Sequence, residues 1–162
     1  MILNKNPEIK YIPEMKLIGI RAKMTLTLDK TVKLWKKFMP LRHKILNRVN
    51  NDFIDVQVYN PENKFSNFDQ DTEFEKWVAT EVSNWENIDE KLESLVIPEG
   101  RYAVFYHKGT ASESSAVMQY IYAVWLPGSG YVLENRPHFQ ILSEGYRPDD
   151  PESEESIWVP IA

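Results

Sequence analysis

Residues 11–25 read YIPEMKLIGIRAKMT, and residues 96–110 read VIPEGRYAVFYHKGT, 85 residues later and without a gap. Both copies carry Ile-Pro-Glu followed by a period-two strand pattern. In the first, Ile18, Ile20 and Ala22 alternate with Leu17, Gly19 and Arg21; in the second, Ala103, Phe105 and His107 alternate with Tyr102, Val104 and Tyr106. A strand that recurs so closely is the signature of an internal duplication.

The pattern changes to a helical period after each strand. Leu34, Trp35, Phe38, Leu41, Ile45 and Val49 recur at three- and four-residue steps, predicting a helix over roughly 29–49 that Pro40 should kink or interrupt. In the second copy Thr110 and Glu113 have the spacing of a capping box. That helix runs through Val117, Tyr120, Ile121 and Val124 to WLPGSGY, where Pro127 and the glycines stop it. Two strands follow each helix: FIDVQVY (53–59) and FEKWVATEV (74–82), then PHFQILSE (137–144) and SIWVPI (156–161). The 85-residue offset aligns Asp55 with Gln140 and Val56 with Ile141, and a slightly shorter one aligns Trp77-Val78 with Trp158-Val159.

Two β-α-β-β repeats, approximately 11–83 and 96–162, therefore predict an α+β fold in a single domain spanning 1–162. The repeats lie about a pseudo-twofold axis, with one curved antiparallel sheet and both helices on one face. Alternation assigns Ile18, Ile20, Ile54, Val56, Val58, Val78, Val82, Ala103, Phe105, Phe139, Ile141, Ile157, Val159 and Ile161 to the helix-covered face. The opposite face then carries Arg21, Asp55, Gln57, Tyr59, Glu75, Trp77, Glu81, Tyr102, Tyr106, Gln140, Leu142 and Trp158. Aromatics mixed with a few carboxylates and amides suit an apolar ligand oriented by a few polar groups, and aromatic faces with carboxylates favour a lipophilic cation. The expected site is a groove on that face built from Trp77, Tyr102, Tyr106, Gln140, Leu142 and Trp158, with Asp55 and Glu81 reading charge and Trp125 at the rim.

Composition narrows the chemistry. The 162 residues are 43% hydrophobic, enough for one core. There is no cysteine, which removes disulfides, thiolate nucleophiles and cysteine metal sites. His43, His107 and His138 lack a metal-ligand spacing, the serines at 112, 114 and 115 mark a helix start, and six scattered glycines make no phosphate loop. Neither a metal nor a cofactor is expected. No signal peptide or spanning segment is evident, so a soluble cytoplasmic chain is the expectation. A net charge of −5 argues against broad nucleic-acid affinity. Its basic residues cluster at Lys30, Lys33, Lys36, Lys37, Arg42, Lys44 and Arg48, and an acidic run covers 149–155; each is more often a solvated face or loop than a binding site.

IPEGRYAVFYHKG, YIYAVWLPGSGY, RPHFQIL and ESIWVPI together resemble the GyrI-like, or AraC-type effector-binding, domain family over essentially the whole chain. The resemblance implies two β-α-β-β halves with a concave ligand groove. It also implies roles among drug-sensing halves of bacterial transcription regulators, stand-alone multidrug-binding proteins, a DNA gyrase inhibitor and hydrolases of reactive genotoxic compounds. Two departures carry expectations of their own. The chain leaves no residues for a helix-turn-helix domain, so direct nucleic-acid binding is not expected. Gln140 stands where many members of the family carry a groove glutamate, and a neutral amide neither balances a buried cation nor acts as a general base. Asp55 or Glu81 would then take the charge-reading role.

Binding of a lipophilic, aromatic small molecule is the leading expectation. The alternatives are a hydrolase using Glu81 with Tyr106 or Trp125, and a protein-partner inhibitor acting through the basic first helix. An exposed aromatic groove would equally suit a homodimer interface.

Overall fold

The computed structural model describes residues 1–62 and 68–162. In chain order its elements are β1 (Glu8–Ile12), β2 (Met15–Met24), α1 (Thr31–Leu41), β3 (Phe53–Val58), β4 (Phe74–Val82), β5 (Glu93–Ile97) and β6 (Gly100–Lys108). There follow α2 (Ala111–Tyr120), a π-helical turn (Ile121–Trp125), α3 (Leu126–Ser129), β7 (His138–Leu142) and β8 (Glu154–Ile161). The strands form one antiparallel sheet in the order β1-β6-β8-β7-β3-β4-β2-β5.

The α+β duplication is as the sequence indicates, and the order shows how the halves join. Strands β3 and β7 pair at the centre, with Asp55 directly opposite Gln140. The two positions that the 85-residue offset superposes thus meet across the pseudo-twofold axis.

Each repeat also gains a strand that alternation did not reveal, β1 in one half and β5 in the other. They form the two ends of the sheet, β1 on β6 and β5 on β2. The repeated Ile-Pro-Glu explains them. Only Pro13 and Glu14 separate β1 from β2, and only Pro98 and Glu99 separate β5 from β6, although in each case the joined strands lie at opposite ends of the order. Two residues span less than about 10 Å, so the sheet curls until its ends approach. The Tyr11 hydroxyl donates to Glu99 at 2.7 Å, tying one end to the other link.

Curling gives the sheet two apolar faces. On the helical face, Leu34 and Phe38 of α1 pack on Ile18, Ile20, Val78 and Val82, while Val117 and Ile121 pack on Ala103, Phe105, Ile157 and Val159. The inner face closes on itself around Leu17, Ile54, Val56, Trp77, Ala79, Ile97, Tyr102, Val104 and Phe139. Fully burying a side chain of this size contributes about 1.5–3 kcal/mol, so two such faces account for a stable fold from a short chain.

The helices depart from expectation locally. α1 ends at Leu41, followed by a single 3-10 turn at Arg42–Lys44. Pro40 lies within the last turn of α1, and Ile45 is extended yet buried. Thr110 has the extended backbone of an N-cap, but its side chain makes no capping hydrogen bond. Instead its hydroxyl meets Ser112, and Glu113 lies 3.7 Å from the amino terminus. Pro127 does not stop the second helix. The wide π-turn precedes it, where a proline lacking its N–H fits poorly in a regular α-helix, and the helix continues to Gly130, which caps it in the left-handed conformation at φ 79°.

Candidate functional site: a groove between the helices

The register corrects the assignment of faces for the two central strands. Directly opposed residues share a face, and Val56 opposes Trp77 while Phe139 opposes Trp158. Ile54, Val56, Val58, Phe139 and Ile141 therefore belong to the inner face with the tryptophans. Asp55, Gln57, Gln140 and Leu142 point the other way, toward the helices. The physical reason is that the helical face is not uniformly covered: α1 sits on one half, α2 on the other, and the polar alternates of β3 and β7 lie along the gap.

Trp77, Tyr102 and Trp158 are accordingly packed rather than presented. Phe139 stacks on Trp158 at 5.3 Å and meets Tyr102 edge-on at 5.2 Å. Arg21 lies over Trp77, Lys10 over Trp158, and Arg136 over Tyr102 at 4.7 Å, so the aromatic faces already have cationic partners from within the chain. The Trp77 indole donates to Glu75 and the Trp158 indole to Ser156, at 2.6 and 2.9 Å. Tyr102 is fully buried, which pushes its hydroxyl up to about 12. Tyr106 and Glu81 share this inner face by alternation, and partial burial raises the Glu81 carboxyl above its ordinary value. Trp125 packs against Phe105 and Tyr131 under the second helix, on the face opposite Glu81 and Tyr106.

A cavity lies in the gap between the helices. Two recesses, of about 760 and 840 Å³, share Asp29, Thr31, Lys76, Ser114 and Gln140 as lining residues. One holds Tyr59, Phe68, Phe74, Met118 and Tyr122; the other holds Trp35, Met39, Phe53, Leu142 and Tyr146. Together they form an apolar, aromatic and methionine-lined groove, adaptable in shape because methionine has no fixed preference for one packing.

Polar groups along its floor form one hydrogen-bonded chain. The Gln57 amide donates to Asp55 at 2.7 Å and to Gln140 at 2.9 Å, bridging the pseudo-twofold axis. Lys76 forms an ion pair with the same Asp55 oxygen, and the Trp35 indole reaches the other at 3.3 Å, tying α1 to the sheet. Both partners of the ion pair are nearly buried, with side-chain exposures of 11% and 10%.

Nearby tyrosines feel this environment. Burial pushes the Tyr59 hydroxyl well above its usual range, with the charge of Asp55 adding to it, and burial does the same to Tyr122. The Tyr146 hydroxyl is raised to about 12 by burial, then by Glu155 and Asp55. Tyr122 hydrogen-bonds the His138 ring at 2.7 Å. Burial, and secondarily Arg136, lowers His138 to about 3, which keeps the ring neutral at ordinary pH. Among the described residues no group of three or more His, Cys, Asp or Glu is arranged to hold a metal.

Of the residues proposed from sequence, Asp55, Gln140 and Leu142 line this groove. Trp77, Glu81, Tyr102, Tyr106, Trp125 and Trp158 do not line either recess. Sequence reasoning missed Trp35, Lys76, Met118, Tyr122, Tyr146 and Glu155. A usable signal was the pair of polar alternates, Asp55 and Gln57, inside an otherwise apolar strand, since burial of polar side chains requires partners.

The fold and groove define a small-molecule-binding architecture. The chain belongs to the GyrI-like family: the model described as a GyrI-like small molecule binding domain matches residues 5–162. It is 26% identical over 163 residues to the transcriptional regulator BrlR of Pseudomonas aeruginosa, an alignment covering 99% of this chain and 57% of BrlR. The chain thus spans little more than half of that relative. Among solved structures, SAV2435 bound to tetraphenylphosphonium superposes with a TM-score of 0.74 at 12% identity, covering 96% of this chain and 93% of SAV2435. EcmrR in a DNA complex superposes with a TM-score of 0.71 at 18% identity, covering 95% of this chain and 56% of EcmrR. No helix among the described residues is long and apolar enough to cross a membrane.

Proposed function

We propose that this chain binds a lipophilic aromatic small molecule, of the drug-binding type, in the groove between α1 and α2, as a sensor or a sequestering protein. The observation that carries the reading is the groove itself, aromatic and methionine-lined walls over a floor whose polar groups are mutually satisfied. Apolar contact would supply affinity, and the floor would supply orientation. SAV2435, similar in fold, was solved with a lipophilic aromatic cation, which supports the same ligand class here.

The test is a thermal-shift and tryptophan-fluorescence titration with tetraphenylphosphonium on the wild type and on Trp35→Ala. Trp35 lines the groove, and stacking against an indole contributes about 0.5–2 kcal/mol. A saturable stabilisation whose affinity weakens about two- to thirtyfold in Trp35→Ala is expected. Absence of stabilisation, or an affinity indifferent to Trp35, would count against the groove.

A further inference from the structure

With Gln140 neutral, the groove must read charge through another residue, and the geometry points to Glu155. Building on the binding reading above, we propose that Glu155 is the counter-charge for the cationic centre of the ligand, which sits in the recess beside Tyr146 rather than over Asp55.

Asp55 is ill suited to that role because it is already engaged. Lys76 neutralises it, Gln57 occupies the same oxygen, and Trp35 occupies the other. A ligand cation reaching Asp55 would have to compete with a nearly buried ammonium group, and a buried carboxylate with its partners in place gains little from a further one.

Glu155 has the opposite character. It comes from β8, paired with His107 on one side and Leu142 on the other, and is 6% exposed while lining the recess. Ser114 donates to its Oε1 at 2.7 Å, and the same oxygen lies 3.2 Å from His107 Nδ1. Among the described residues no hydrogen bond or ion pair reaches Oε2. One oxygen is thus anchored by α2 and β6, which fixes the carboxylate, and the other is left for an incoming group.

His107 does not cancel this charge at no cost. Its ring is fully buried, and Nε2 finds no hydrogen-bond partner among the described residues. Because Nε2 has no acceptor there, the geometry suits a ring proton on Nδ1, where Glu155 Oε1 accepts it. Tyr146 and Trp35 line the same recess, offering the aromatic faces that a lipophilic ammonium or phosphonium prefers.

The experiment compares tetraphenylphosphonium with the neutral triphenylphosphine oxide on wild type and Glu155→Gln. Glu155→Gln should weaken the cation at least tenfold and the neutral probe less than twofold. Equal loss of both probes, or an unchanged affinity for the cation, overturns the assignment. Because Glu155 is buried, a readout on the wild type accompanies the variants. Nuclear Overhauser contacts from the phenyl protons should reach Tyr146, and contacts confined to Met118 and Tyr122 contradict the proposal. If tetraphenylphosphonium fails to bind the wild type, the groove reading falls with this one. If it binds and depends on Trp35 but not on Glu155, the charge assignment falls alone.

Discussion

Replacing Gly19 by alanine should destabilise the protein by about 3 kcal/mol or more, among the largest effects expected from a single added methyl. Gly19 lies on β2 opposite Ala79 of β4. A Cβ there would fall 2.6 Å from the Ala79 Cβ and 2.7 Å from its Cα, and closer still to the Val78 carbonyl. These are backbone and near-backbone atoms of a central strand, so no rotamer change relieves the clash. At this position β2 is held between β4 and β5, Gly19 lying opposite Ala79 on one side and Glu93 on the other. Urea unfolding compares the variant with wild type, and a loss below about 1 kcal/mol would show that the strands separate more easily than their packing implies.

The second large effect is at the groove floor. Asp55→Ala should cost about 3–5 kcal/mol, since it strands the nearly buried Lys76 ammonium. It also removes acceptors from Gln57 and Trp35, loosening α1 from the sheet. The double variant Asp55→Ala/Lys76→Met should recover most of that loss, because the charge left behind by the single change is gone. A double-mutant cycle by chemical denaturation reads the coupling directly. Additive losses would mean that the ion pair is solvated in solution.

These two sites also mark how far the sequence could be read. The duplication was legible because each repeat keeps its strand pattern in the same place, and the 85-residue offset even identified the pair, Asp55 and Gln140, that meets at the axis. The strand expected at 74–82 is observed with those bounds, Phe74–Val82. The short end strands β1 and β5 escaped notice since five residues carry little periodic signal.

The faces of β3 and β7 were inverted for a different reason. Alternation separates two sets of side chains but does not say which set meets the helices. When a curled sheet buries both faces, the more apolar set need not be the helix-covered one. Here it fills the inner face, and the polar set of Asp55, Gln57 and Gln140 lies beneath the gap between the helices. Lys76 and Glu155 were invisible as groove residues because isolated charges on strands ordinarily face solvent. The acidic stretch 149–155 read as a solvated loop, yet its last residue is buried in β8. Only the register, which brings Glu155 beside His107 and Leu142, reveals it.

The central claim is that ligand enters between the helices and not on the inner face of the sheet. The chain contains five tryptophans, Trp35, Trp77, Trp85, Trp125 and Trp158, and each indole N–H gives its own proton–nitrogen correlation. Titrating tetraphenylphosphonium into labelled protein and following those five signals tests the claim most directly. The Trp35 signal is expected to move saturably while those of Trp77 and Trp158 stay in place. Movement of Trp77 and Trp158 with a stationary Trp35 would put the ligand on the inner face instead.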